Sequence, residues 1–223
     1  MAPDPGFQRA RRPEQVAERR ATILRTAREL LGERRLSAIS LRDLSSRVGL
    51  AKSNVLNYFD SREAIYLELL DADWRDWLDE LEQTVPAGDA SEPHAAETAT
   101  AGTLARTLAA RPVLCELLSA LAGVLEHNVS EDTARRFKTN AAANAVRLRE
   151  WLRVRLPALD AETAHHCAGA ITLLAGALWD YERPTPLVHR LNQEFGGLPA
   201  RSFEENFATG LRTHLVGATT LGR

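Results

Sequence analysis

Lys52, Ser53, Asn54 and Asn57 lie within one six-residue stretch, and their side chains are of the kinds that read a nucleic-acid duplex. An Asn amide donates and accepts at base edges, a Ser hydroxyl can do either, and a Lys ammonium meets phosphate. Ser40 and Arg42 upstream and Arg62 downstream are expected near the phosphate backbone, with Tyr58 completing the DNA-contacting set. No grouping of equal quality points to catalysis. His165 and His166 are adjacent, hence about 100° apart on a helix, and cannot chelate one metal as an i, i+4 pair would. There is no glycine-rich phosphate loop, no nucleophile elbow and no C-x-x-C. Asp71, Asp73, Asp76, Asp79 and Glu80 crowd one segment, but they alternate with Arg75 and two tryptophans and read as a solvated face. No catalytic residue, metal site or cofactor is predicted.

The elements that must position the polar set are legible in SLRDLSSRVGLAKSNVLNYF, Ser40 to Phe59. Leu41, Leu44 and Val48 are spaced three and four apart and form one apolar stripe on a short helix, which small Ser45 lets a neighbour approach. Gly49 supplies the left-handed residue that ends this helix and permits a tight turn, and Leu50 plugs the corner. Val55 and Tyr58 resume the apolar spacing on a second short helix, so Lys52, Ser53, Asn54 and Asn57 face away from the core. This is a helix-turn-helix pattern with a basic flank, the combination that a DNA-docking unit requires.

The first sixty-odd residues resemble the N-terminal domain of the tetracycline-repressor (TetR) family of bacterial transcription regulators. Three segments carry the resemblance in order: ARELL at the end of a long first helix (Ala27 to Leu31), SLRDLSSRVGL, and YFDSREAIY (Tyr58 to Tyr66). The resemblance implies a homodimeric regulator, a repressor released from a palindromic operator when a small effector binds the C-terminal domain. Three positions depart from the family pattern. Arg35 stands where a glycine is usual, and a left-handed non-glycine costs about 1–2 kcal/mol, so the end of the first helix is expected to differ. Ala51 replaces a Ser and is a poor N-cap, about 1 kcal/mol worse, with Ser53 available as a later cap. Leu56 occupies the place of a phosphate-binding tyrosine, so that contact is not carried over.

The 223 residues carry a net charge of −2, unevenly spread. Residues 1–65 hold 13 Lys or Arg against 8 Asp or Glu, and the remainder holds 15 against 22. A basic head at net +5 therefore precedes an acidic body at net −7, confining phosphate affinity to one module. Cys115 and Cys167 lie far apart, without metal or disulfide spacing, and are expected as reduced, buried thiols of a cytoplasmic protein. The N-terminal stretch MAPDPGFQRARRPE lacks the apolar core of a signal peptide. The most apolar run, the 12 residues Ala168 to Trp179, is too short to span a membrane.

The fold class expected is all-α: a disordered arm over 1–12, a helix-turn-helix domain over 13–60 and a helical effector-binding and dimerisation domain over 61–223. Ser61 reads as the N-cap of a long helix that leaves the head for the body, carrying Leu70, Trp74, Trp77, Leu78 and Leu81 on one face. A loop is expected at Pro86 to Pro93, breaks at Arg111-Pro112 and near Asn128 to Ser130, and a cap at Asp160. Pro184 and Pro186 are expected to end the next-to-last helix, with a Gly-rich loop running to Arg201 before a final helix marked by Phe203, Phe207, Leu211 and Leu215. An apolar or aromatic effector, if bound, is expected among Trp74, Trp77, Leu81 and Leu118, with Phe137, Trp151, Leu174 and Trp179 opposite. Ile171, Leu174, Leu178, Phe207 and Leu211 are expected to form a two-fold dimer contact. Two alternatives belong to other classes. One is a helical small-molecule-binding enzyme or carrier with an incidental helix-turn-helix; the other is a DNA-coating protein indifferent to sequence.

Overall fold

Pro13 begins the first helix at the position where its missing N–H costs nothing, and Glu14 follows at the positive end of the dipole. A computed structural model describes residues 13–84, 92–196 and 201–221; the arm expected over 1–12 and most of the Pro86 to Pro93 loop lie outside them. Helix α1 (Pro13–Glu33) buries Ile23, Ala27, Leu30 and Leu31. Arg35 is not left-handed: its φ is −62° and ψ 150°, and a 3-10 turn over Leu36–Ala38 follows, so the expected strain is avoided by an early helix end. Helix α2 (Leu41–Val48) and helix α3 (Lys52–Val55) complete a helix-turn-helix.

Helix α4 (Arg62–Gln83) begins at Ser61, whose hydroxyl accepts from the Ala64 N–H at 3.1 Å. Its 22 residues extend about 33 Å, long enough to run from the helix-turn-helix into the body. It packs against α1 and, in the body, against α5 (Ala95–Ala109), α6 (Pro112–Ala120) and α7 (Glu131–Arg155). Being covered on several sides, it buries polar residues too. Asp71 and Asp73, expected on a solvated face, are both buried. Asp73 pairs with Arg28 of α1, and Asp71 accepts from Asn140 of α7 at 2.9 Å and pairs with Arg75 at 3.1 Å. Asp79 and Glu80 behave as expected of surface acids, bridging to Arg147 and Arg111 at 2.6 Å.

The expected breaks occur at Arg111 and at Asn128, which adopts a φ of 56° before Ser130 caps α7. A π-helical turn, Leu121–Leu125, continues α6 and was not signalled by the sequence pattern. Asp160 caps helix α8 (Ala161–Tyr181) by accepting from the Thr163 N–H at 2.7 Å. Helices α6 and α8 cross so closely that a Cβ on Gly176 would stand 2.9 Å from the Leu118 carbonyl carbon and oxygen. The chain after α8 is helical where a loop was expected. Thr185 caps helix α9 (Pro186–Phe195), and Pro186 starts it at the first helical position rather than stopping its predecessor. Helix α9 buries none of its residues and leaves Phe195 76% exposed. Helix α10 (Phe203–Leu221) lies against α5 and α8 and buries all four of its expected core residues. Among the described residues there is no strand, and no single helix is long and apolar enough to cross a membrane.

Candidate nucleic-acid interface and the joint behind it

Local chemistry fixes the helix-turn-helix at three points. Ser40 and Asp43 form a capping box at the start of α2: the Ser40 hydroxyl accepts from the Asp43 N–H, and the Asp43 carboxylate accepts from the Ser40 N–H at 2.8 Å. Gly49, at φ 75°, ends α2 with its N–H on the Ser46 carbonyl, and the Leu50 N–H reaches the Ser45 carbonyl at 3.0 Å. Leu44, Ser45 and Val55 are then buried between the two short helices, so α3 keeps a fixed register against α2. Ala51 caps α3 without a side-chain hydrogen bond, and Ser53 lies inside the helix instead of replacing that cap.

With Val55 inside, Lys52, Ser53, Asn54 and Asn57 are exposed, as are Ser40 and Arg42. Arg42 and Lys52 have no carboxylate partner among the described residues, whereas Arg34, Arg35, Arg47 and Arg62 each have one. Tyr58 is half-buried at the edge of this face, and Leu56 stands 44% exposed where a polar contact would be useful. Arg62, expected at phosphate, is turned inward: its guanidinium donates to the Ile39 carbonyl at 2.7 Å and to Glu63 at 2.9 Å. It braces the turn before α2. The Ser40 hydroxyl is likewise engaged in its cap.

Three of the four tryptophan indoles are tied to protein groups. The Trp77 indole donates to Thr107 at 3.0 Å, Trp151 to the Leu81 carbonyl at 2.7 Å, and Trp179 to Glu116 at 3.1 Å; buried Trp74 has no partner for its N–H among the described residues. Leu81 and Leu118 are core, and Leu174 lies near Gly210 of α10. A cavity of about 310 Å³ lies between α1, the α3–α4 turn, α4 and the first turns of α7, and Phe137 alone of the expected pocket residues lines it. The expected dimer residues also divide. Ile171, Phe207 and Leu211 are fully buried inside the protomer because α10 packs back onto α5 and α8, so they cannot face a partner. Leu174 and Leu178 are partly exposed, and Leu173, 73% exposed, lies on the outer side of α8.

Two hydrogen-bonded seams join the helix-turn-helix to the body, and neither was anticipated. In the first, Asp60 accepts from the hydroxyls of Ser130 and Thr133, the latter at 2.7 Å, and Arg136 donates to Thr133 at 2.8 Å. The Ser130 and then the Thr133 hydroxyl hold the Asp60 carboxyl below its usual range. In the second, buried Glu116 of α6 accepts from the Leu36 N–H at 2.9 Å, from Trp179 and from Arg183 at 3.3 Å. Arg35 reaches Asp180 at 3.3 Å and the Arg183 carbonyl beside it. The sequence signal for Glu116 was available, since it is the one charged residue in the otherwise mostly apolar run PVLCELLSA, Pro112 to Ala120, and a buried acid requires partners.

A helix-turn-helix with an exposed polar second helix, mounted on a larger helical body, defines a DNA-binding regulator architecture. Comparison with known proteins specifies the family. Residues 23–69 match "Bacterial regulatory proteins, tetR family", and residues 71–221 match "Tetracyclin repressor-like, C-terminal domain". The chain therefore belongs to the tetR family, one of regulatory proteins rather than enzymes. The two matched regions meet inside α4. The HTH-type transcriptional repressor KstR2 of Mycolicibacterium smegmatis is 33% identical over 78 residues, a match that spans 35% of this chain and 34% of that protein. A TetR transcriptional regulator from Rhodococcus sp. RHA1 superposes with a TM-score of 0.52 at 14% identity, covering 90% of this chain and 96% of that one, which establishes a shared fold.

Proposed function

We propose that this protein is a cytoplasmic transcriptional repressor that binds a palindromic operator as a homodimer and leaves it when a small effector binds. Residues 13–60 form the DNA-binding domain, and residues 61–223 form the effector-binding and dimerisation domain. The observation that carries the reading is the outward polar face of α3, held in register by buried Val55 and flanked by Arg42 and Lys52, which have no carboxylate partner among the described residues. Asn54, Asn57 and Ser53 read base edges; Lys52 and Arg42 meet phosphates, with Ser40 and Tyr58 beside them. Arg62 acts from behind as a brace.

One such unit covers too few base pairs for useful discrimination, and two related by a two-fold axis double the contacts. The exposed side of α8, with Leu173, Leu174 and Leu178, supplies the apolar surface for the dimer. Helix α4 and the two seams transmit effector binding: a ligand that prefers one orientation of the head over the other shifts the spacing of the paired recognition helices. A hundredfold loss of operator affinity needs only about 2.7 kcal/mol of differential binding.

The experiment is a gel-shift titration with DNA from the region upstream of the protein's own gene, in excess competitor DNA. Selective retention on an inverted repeat is expected. Equal affinity for every sequence would instead mark a DNA-coating protein, and no retention at low salt would mark a carrier with an incidental helix-turn-helix.

A further inference from the structure

The cavity at the joint has walls from both sides of it. Arg20, Tyr58, Phe59 and Asp60 come from the DNA-binding unit and its turn, and Thr133, Arg136, Phe137 and Asn140 from α7. Its volume, about 310 Å³, is at the lower end of what small-molecule sites use. Phe59, Ala64, Leu67 and Phe137 are buried and give it an apolar floor.

Most charges on its wall are already paired. Glu68 is held by Arg20, whose guanidinium also stacks 4.1 Å above the Phe59 ring and donates to the Tyr58 carbonyl. Asp71 is held by Arg75 and the Asn140 amide. Asp60 has the two hydroxyls of Ser130 and Thr133. Arg136 is the cation with spare donors: among the described residues it is exposed, has no carboxylate within ion-pair distance and donates only to Thr133, while its charge acts on Asp60 from farther off. A guanidinium with spare donors above an apolar floor suits a planar two-oxygen anion on an apolar body. Three carboxylates on the same wall disfavour a doubly charged group.

We infer that this cavity binds a small monocarboxylate with an apolar aromatic or aliphatic body, and that the ligand works by taking Arg136 away from Thr133. Arg136 polarises the Thr133 hydroxyl that donates to Asp60, so its withdrawal weakens the seam that fixes the recognition helix to α7. This inference rests on the effector-released reading for its consequence, while the binding itself does not.

The probes are 4-fluorophenylacetate, followed by fluorine NMR on the full-length protein, octanoate as its competitor, and neutral 4-fluorophenylacetamide as the control. Saturable binding of the carboxylate at about 1 mM or tighter is expected, displaced by octanoate, with the amide weaker by roughly tenfold or more. Arg136→Gln should lower carboxylate affinity by a similar factor, and Arg136→Lys should restore part of it. Absence of saturable carboxylate binding, equal binding of the amide, or an unchanged affinity in Arg136→Gln would each overturn the inference. Operator affinity is titrated separately. Operator binding without carboxylate binding leaves the repressor reading intact and removes only this site; carboxylate binding without any operator binding does the reverse.

Discussion

Asp60, on the turn between α3 and α4, accepts a hydrogen bond from the Thr133 hydroxyl of α7 at 2.7 Å. The bond ties the recognition helix to the body at a point remote in sequence, and it depends on the carboxyl being ionised. Because the hydroxyls of Ser130 and Thr133 hold that carboxyl below its usual range, its contribution is full above the ordinary Asp value and is lost as pH falls through the lower folded value. Asp60→Ala should reduce stability by about 1 kcal/mol and abolish that component of the acid dependence, measured by urea unfolding across pH. An unchanged pH profile would show that the seam contributes nothing.

Gly176 lies where α8 meets the α6 backbone, and the atoms in the way of a Cβ are the Leu118 carbonyl and the Ser119 nitrogen, which no rotamer change can move. Gly176→Ala should destabilise the fold by roughly 1–3 kcal/mol. Gly217→Ala, where a Cβ meets nothing within 4 Å, is the matched control and should be nearly silent. Equal melting temperatures for the two variants would refute the close crossing.

Leu173 and Leu211 separate dimerisation from folding. Leu173 is 73% exposed in the protomer, so Leu173→Glu should leave a folded chain that sediments as a monomer and binds operator weakly. Leu211 is fully buried, and a Glu there should unfold the body. A folded dimer of Leu173→Glu would place the two-fold contact elsewhere, with the apolar side of α9 as the next surface to test.

Cys115 and Cys167 are both free and buried. Burial pushes the Cys115 thiol up to about 12 and raises Cys167 as well, so neither offers thiolate near neutral pH. A thiol-reactive dye should label neither residue in the native protein and both after denaturation. Rapid native labelling would mean that the α6 or α8 environment opens readily.

The helix-turn-helix was legible because its signals are local: the Leu41, Leu44, Val48 stripe, Gly49, and Val55 each determine their own neighbourhood. What the sequence left hidden depends on what lies opposite. The acids of α4 looked solvated until α1 and α7 closed over Asp71 and Asp73. The tryptophans looked like a pocket because aromatic residues line pockets and cores alike, and three of their indole N–H groups have protein partners. Ile171, Phe207 and Leu211 looked like an interface because the pairing of α10 with α5, across about a hundred residues, has no local signature. Helix α9 was missed for a simpler reason. Pro186 fits a helix stop as well as a helix start, and only Thr185 before it and the Leu187, Leu191, Phe195 spacing after it mark the start.

The central claim is that the exposed face of α3 reads DNA sequence, and Asn54 and Lys52 test it together. Affinity should be measured for an inverted repeat from the adjacent promoter and for a scrambled copy, over a range of salt, with wild type, Asn54→Ala and Lys52→Ala. The wild type should prefer the repeat by about a thousandfold or more. Asn54→Ala should relax that preference at one or two base pairs per half-site. Lys52→Ala should weaken binding to both DNAs and flatten the salt slope by about 0.9 per lost phosphate contact. Equal wild-type affinity for the two DNAs, or two variants indistinguishable from wild type, would contradict the claim.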